Sequence, residues 1–159
     1  MIAESGGEAN AASSRIDFYL TFIGGMTMTQ PTHTEEQVKA AVDELIEKAT
    51  SYDIESLDRI YHDDLHIVII DHEDNINISN KTQFKELFAK RKEAGNAQMN
   101  TWVKYHHIHI RGNEAMVALS RINDLNGTEM KLACSIDLVF ESGHWQVLRE
   151  EIFLRPLHS

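Results

Sequence analysis

From residue 97 onward, apolar and polar residues alternate with a period of two over four long segments, roughly 98–111, 114–125, 128–141 and 144–155. The breaks between them are short and turn-forming: Gly112-Asn113, Asn126-Gly127 and Ser142-Gly143. Strands that close together in sequence, with such links, can pair only as an antiparallel meander. One face of that meander is apolar and has to be covered.

The cover comes from residues 34–96, where the period is helical. Thr34 with Gln37 three positions on is a capping box, and Val38, Ala41, Val42, Leu45, Ile46 and Ala49 then recur on one face. Tyr52-Asp53 interrupts the pattern. Asp53 caps a second short helix to about Tyr61, with Ile54, Leu57, Ile60 and Tyr61 facing inward. Residues 65–71 read as a strand, and the residues to Ser79 as a turn and a short return strand. Asn80 caps a third helix carrying Phe84, Leu87, Phe88 and Arg91, which Ala94-Gly95-Asn96 stops. Helices followed by a meander predict an α+β domain, with three helices packed on a curved, mostly antiparallel sheet.

The 159 residues suit one domain, expected over 34–159. Residues 1–33 differ in composition and are expected to be a disordered or extension segment. Translation beginning at Met26 or Met28 would explain the change, and an amphipathic arm is the rival reading. With only Arg15 positive, and a short apolar run at 16–23 interrupted by Asp17, a secretory signal is rejected. No apolar run approaches the ~20 residues of a membrane-spanning helix. A net charge of −10, from 25 acidic and 15 basic residues, argues against nucleic-acid partners. The single cysteine, Cys134, cannot form an internal disulfide, so a cytoplasmic location is expected.

The order of elements, the Asp53-Ile54-Glu55 helix start, the Tyr61-His62-Asp63-Asp64 corner and the four strands ending near Trp145 resemble the nuclear transport factor 2-like superfamily, which has a cystatin-like fold. That group includes ketosteroid isomerase and the SnoaL-like polyketide cyclases. The resemblance implies a cone-shaped apolar cup closed by the helices, and a homodimer formed through the sheet. It also implies that the isomerase machinery is missing. The positions of its tyrosine donor, base and acidic donor fall on Leu45, Ile69 and Ile136, which can neither donate hydrogen bonds nor move protons.

The same alignment sets the cup-facing residues of the strands. They are Val117, Leu119, Arg121 and Asn123; Met130, Leu132, Cys134, Ile136 and Leu138; and Leu148, Glu150 and Ile152. A buried Arg121 and a buried Glu150, on strands expected to be near neighbours, should pair with each other or meet a ligand. Glu150 and Asp71 are the candidate acid–base residues. Arg121, Asn123, Tyr61, Ile69, Leu119, Cys134, Ile136, Leu148 and Ile152 are the candidate ligand-binding residues. Asp63 and Asp64 are expected to cap backbone amides in a structural turn. In the Tyr105-His106-His107-Ile108-His109 run, strand alternation puts His107 and His109 on one face and His106 on the other. Two histidines alone do not make a metal site, so no metal and no cofactor are expected. The functional expectation is a small hydrophobic ligand with a polar or anionic end, bound in the cup. Turnover of that ligand would make the protein a cofactor-free isomerase, lyase or hydrolase. The alternative is a non-catalytic carrier or a dimerisation module with a closed cup.

Overall fold

A computed structural model describes residues 32–158 of the chain. The expectations for residues 1–31, including the start site and the arm, lie outside the described residues. The elements run α1 (Glu35–Thr50), α2 (Ile54–Ile60), β1 (Tyr61–Ile70), β2 (Ile76–Asn80), α3 (Lys81–Glu93), β3 (Val103–Arg111), β4 (Glu114–Asn123), β5 (Met130–Glu141) and β6 (His144–Pro156). The α+β expectation holds: three helices pack on one curved sheet ordered β2-β1-β6-β5-β4-β3. β1 and β6 run parallel, and every other neighbouring pair is antiparallel.

The helices start where side chains can satisfy free amides. Thr34 Oγ1 accepts from the Gln37 amide while Gln37 Oε1 accepts from the Thr34 amide, at 3.2 and 3.0 Å. Asn80 and Gln83 repeat the exchange at the start of α3. Replacing Asn80 with Ala should cost about 1 kcal/mol, read as a shift of the urea midpoint at unchanged slope. α1 then buries Val38, Val42, Leu45, Ile46, Ala49 and Thr50. α3 buries Phe84 and Phe88 but leaves Leu87 exposed.

Several local expectations need correction. β1 begins at Tyr61, directly after α2, and not near residue 65. Its corner is not held by carboxylate caps. Asp63 instead pairs with Lys81 at 3.0 Å, and His62 Nε2 meets Glu141 at 2.8 Å. Residues 98–102 precede β3 instead of extending it, and β4 and β5 are joined by a loop from Asp124 to Glu129. At the β5–β6 link, Ser142 and Gly143 both have positive φ, of 53° and 82°. That backbone matches the twist of the strands it joins.

Three register shifts bend the sheet: between Tyr61 and His66, between Tyr105 and His107, and between Asp137 and Leu138. The second leaves His106 as the extra residue. His106 therefore does not take the opposite face from His107. Its ring meets Ser120 Oγ at 2.8 Å on the outer face, where His107 and His109 stack with centroids 6.4 Å apart. Among the described residues no group of three or more His, Cys, Asp or Glu side chains is placed to hold a metal, and no helix is long and apolar enough to cross a membrane.

Candidate functional site

Between the inner face of the sheet and helices α1 and α3 lies a cup of about 60 Å³. The strand registers stack the inner face of the sheet in rows. The deepest row across β4, β5, β6 and β1 is Val117, Ile136, Glu150 and Ile67. The next is Leu119, Cys134, Ile152 and Ile69, and the row nearest the mouth is Arg121, Leu132 and Leu154. Tyr61 closes the deep end beneath Phe84 and Phe88, which stack edge to face at 5.7 and 5.2 Å. Leu45, Ile69 and Ile136, the apolar residues at the positions of the isomerase's polar groups, all line this cup.

Arg121, Asn123, Tyr61, Ile69, Leu119, Cys134, Ile136, Glu150 and Ile152 are brought together around it. Leu148 is not. The third register shift pairs Asp137 with Arg149 and Leu138 with Val147, so Leu148 is the residue left over. Val147 takes the core position, and Leu148 lies outside the cup in a groove with Asp137 and Arg149. The bulge falls beyond Glu150, which is why Glu150 still faces inward. Asp71 is also outside the cup. It ends β1 in a tight turn, where its carboxylate accepts from the Glu73 and Asn75 amides and from Asn75 Nδ2, at 2.9, 2.9 and 3.0 Å. The hydrogen bonds from Asn75 hold its pKa below the ordinary 3.8. A carboxylate so engaged shapes the turn and is a poor base.

Arg121 and Glu150 are both buried, at 9% and 7% exposure, yet they form no ion pair. β5 separates their strands, and the residues sit in different rows. Arg121 spends its donors on main chain: Nε donates to Trp102 O and Nη2 to Asn100 O, each at 3.0 Å. It thus anchors the irregular segment before β3. Glu150 has no hydrogen-bonding or ion-pairing partner among the described residues. Burial pushes its pKa from 4.5 up to about 7, only partly offset by the charge of Arg121. Tyr61 is pushed well above 10.0 by burial and by Glu150, so it remains a phenol. Cys134 is pushed up to about 12, chiefly by burial, which leaves a thiol and not a nucleophilic thiolate.

The cup thus presents a hydroxyl, a thiol and a carboxyl whose pKa is pushed up to about 7, within a lining that is mostly apolar apart from Thr50, Arg121, Asn123 and Asn126. A group of this kind can give or take a proton at pH 7. Leu154 extends the alternation of Glu150 and Ile152, and could have been read from the sequence. Thr50 and Met99 could not. Thr50 ends α1, and Met99 lies in an irregular segment pinned where its amide donates to Thr50 O at 3.1 Å. A latch beside the mouth was equally hidden. Tyr52, held at φ 56°, donates from Oη to Ala97 O at 2.9 Å and accepts from Arg91 Nε at 3.1 Å, and Arg91 pairs with Asp124 at 2.9 Å.

Comparison with solved structures places this architecture among NTF2-like proteins. An NTF2-like protein of unknown function from Silicibacter pomeroyi DSS-3 has a TM-score of 0.62 at 18% identity, over 76% of this chain and 94% of that one. An NTF2-like protein from Cytophaga hutchinsonii ATCC 33406 has a TM-score of 0.64 at 15% identity, over 78% and 100%. One of unknown function from Shewanella baltica OS155 has a TM-score of 0.60 at 13% identity, over 79% and 99%. These likenesses establish the fold. A search of curated proteins finds no match. The sequence profile of the SnoaL-like domain matches residues 38–151, and so the chain belongs to the SnoaL-like family, on the NTF2-like fold.

Proposed function

We propose that the domain binds a small hydrophobic molecule in the cup by its polar end, and that Glu150 exchanges a proton with it. The observation that carries this reading is the Glu150 carboxyl, buried in the cup with Tyr61 and without a hydrogen-bonding or ion-pairing partner among the described residues. A buried carboxyl with no partner is costly, and a ligand oxygen would supply what the chain does not. The polar end is neutral in this reading, because Arg121 is already engaged by carbonyls and Glu150 would repel an anion. Arg121 is therefore a positioning residue, and Asp71 has no part. No cofactor is invoked, and a cytoplasmic site of action fits the single Cys134 thiol.

The test is native mass spectrometry of the purified protein, followed by denaturing extraction. A retained small molecule that is lost from Glu150→Leu supports the cup as a binding site. Retention unaffected by that change would sink the reading. With the extracted class in hand as substrate, Glu150→Gln should lower turnover by roughly 10²–10⁴-fold; undiminished turnover would assign the protein to the carriers.

A second reading, a non-catalytic module with a closed cup, is favoured by the small volume of about 60 Å³. Consistent ligand-free recovery would support it. Either way we propose a homodimer through the outer face of the sheet, where Ile76, Ile78 and Phe153 are 61%, 56% and 49% exposed. Val68 and Ile70 join them, since Ile70 pairs with both Ile76 and Phe153. Light scattering of Phe153→Asp should show a monomer where the unmodified chain shows a dimer.

A further inference from the structure

An apolar cavity of ~150 Å³ takes up benzene, and the cup, at about 60 Å³, is less than half as large. A hydrophobic molecule of even that size enters only if a wall moves. Most of the wall belongs to paired strands and to α1 and α3, whose main chain is held by ladder and helical hydrogen bonds. Two irregular segments complete it, with Met99 on one and Leu125 and Asn126 on the other. The first, residues 97–102, is tied to the fold at several points. Ala97 O accepts from Tyr52, the Met99 amide donates to Thr50 O, and the carbonyls of Asn100 and Trp102 accept from Arg121.

The second, the loop from Asp124 to Glu129 between β4 and β5, is held chiefly by one side chain. Arg91 on α3 donates from Nη1 to Asp124 O at 3.1 Å, and its Nη2 pairs with the Asp124 carboxylate at 2.9 Å. Asp124 O also accepts from the Gly127 amide at 2.8 Å, so one carbonyl joins the loop's own turn to the guanidinium. The remaining bond from this loop to another segment, among the described residues, runs from Asn100 Nδ2 to Glu129 at 3.4 Å, longer than a good N–H···O bond. Leu125 is half-buried against the core and lines the cup, while Asn126 beside it is exposed. We propose that the β4–β5 loop is the door of the cup, with Leu125 as its stopper and Arg91 as its bolt. When the Arg91–Asp124 pair breaks, the loop swings on its strand ends, Leu125 leaves the mouth and the cup opens. Tyr52 keeps the bolt aimed, because its Oη accepts from Arg91 Nε at 3.1 Å. The door follows from the geometry of the mouth; its use as a ligand's way in rests on the cup reading above.

Cys134 reports the state of the door without any ligand. It is the only cysteine of the chain, and it lines the cup one row inside the mouth. Burial pushes its thiol up to about 12, so it reacts slowly while the cup is closed. The test follows the mass of the full chain during reaction with methyl methanethiosulfonate, at low urea concentrations that leave it folded. Arg91→Met and Asp124→Ala should each label at least about tenfold faster, because each removes a charged partner from the latch. The double variant should be no faster than the faster single one, since both changes draw the same bolt. These rates should be flat in urea, which marks local opening and not global unfolding. Glu129→Ala should label at the rate of the unmodified chain. Unchanged rates in both latch variants, or an acceleration that climbs with urea, would overturn the door. That result would leave the cup reading to its own test, retention of a small molecule that is lost from Glu150→Leu. Failure of that retention test alongside fast labelling here would keep the door and remove the ligand.

Discussion

Arg121→Met should lower the stability of the domain by about 2–4 kcal/mol and its melting temperature by roughly 10 °C. The side chain is nearly the same length, so the loss is not chiefly one of volume. It comes from the carbonyls of Asn100 and Trp102, which now accept from Nε and Nη2 at 3.0 Å each. Methionine offers them nothing. Lysine is not a conservative repair, because one ammonium cannot reproduce the planar fork that meets two carbonyls at once. The damage should be local before it is global. Amide exchange should accelerate through residues 97–102, including Met99, whose amide is tied to Thr50 O, while the β5–β6 pairing stays protected. Uniform acceleration, or stability within about 0.5 kcal/mol of the parent, would show that this segment holds itself without Arg121.

That role shows where sequence reasoning reaches its limit. Alternation on β4 and β6 is enough to place Arg121 and Glu150 on the inner face, since side chains alternate strictly until a bulge intervenes. The same logic fails for Leu148, because the register shift between Asp137 and Leu138 falls between it and Glu150. It fails for His106 for the same reason, one extra residue between Tyr105 and His107. Bulges of this kind leave no fixed residue signature. Charge alone suggests that Arg121 pairs with Glu150, but β5 lies between their strands. What Arg121 meets instead is main chain, and a carbonyl has no letter in the sequence. The capping boxes at Thr34 and Asn80 are legible in part or whole because both partners are close in the chain and their side chains make the bonds. The Tyr52–Arg91–Asp124 latch joins three distant segments through one strained residue and one carbonyl, so only the fold reveals it.

Glu150→Gln should stabilise the domain at high pH and leave it nearly unchanged at low pH. Burial raises the Glu150 pKa from 4.5 to about 7, so between those values the folded chain holds a proton that the unfolded chain has released. Stability therefore falls as pH rises across that window. The favourable contribution of the neutral acid is complete below pH 4.5 and is lost as the pH passes about 7. A tenfold change in proton affinity is worth ~1.4 kcal/mol, which sets the full effect at about 3 kcal/mol. Glutamine has nearly the same shape and no charge to bury, so it removes this slope. Denaturant titrations of both proteins from about pH 5 to about pH 8.5 should show curves that converge at the acid end and separate at the alkaline end, with the variant more stable. Parallel curves would mean that Glu150 titrates normally, which would require water or a cation at the carboxyl, and the cup would not be the dry site that proton transfer at neutral pH needs. A saturating neutral ligand that accepts the Glu150 proton in a hydrogen bond should push the midpoint of the wild-type slope higher, because it binds the protonated form. A ligand that lowered the midpoint would instead be one that donates to the carboxylate, so the direction of that displacement reads the ligand's hydrogen-bonding role directly.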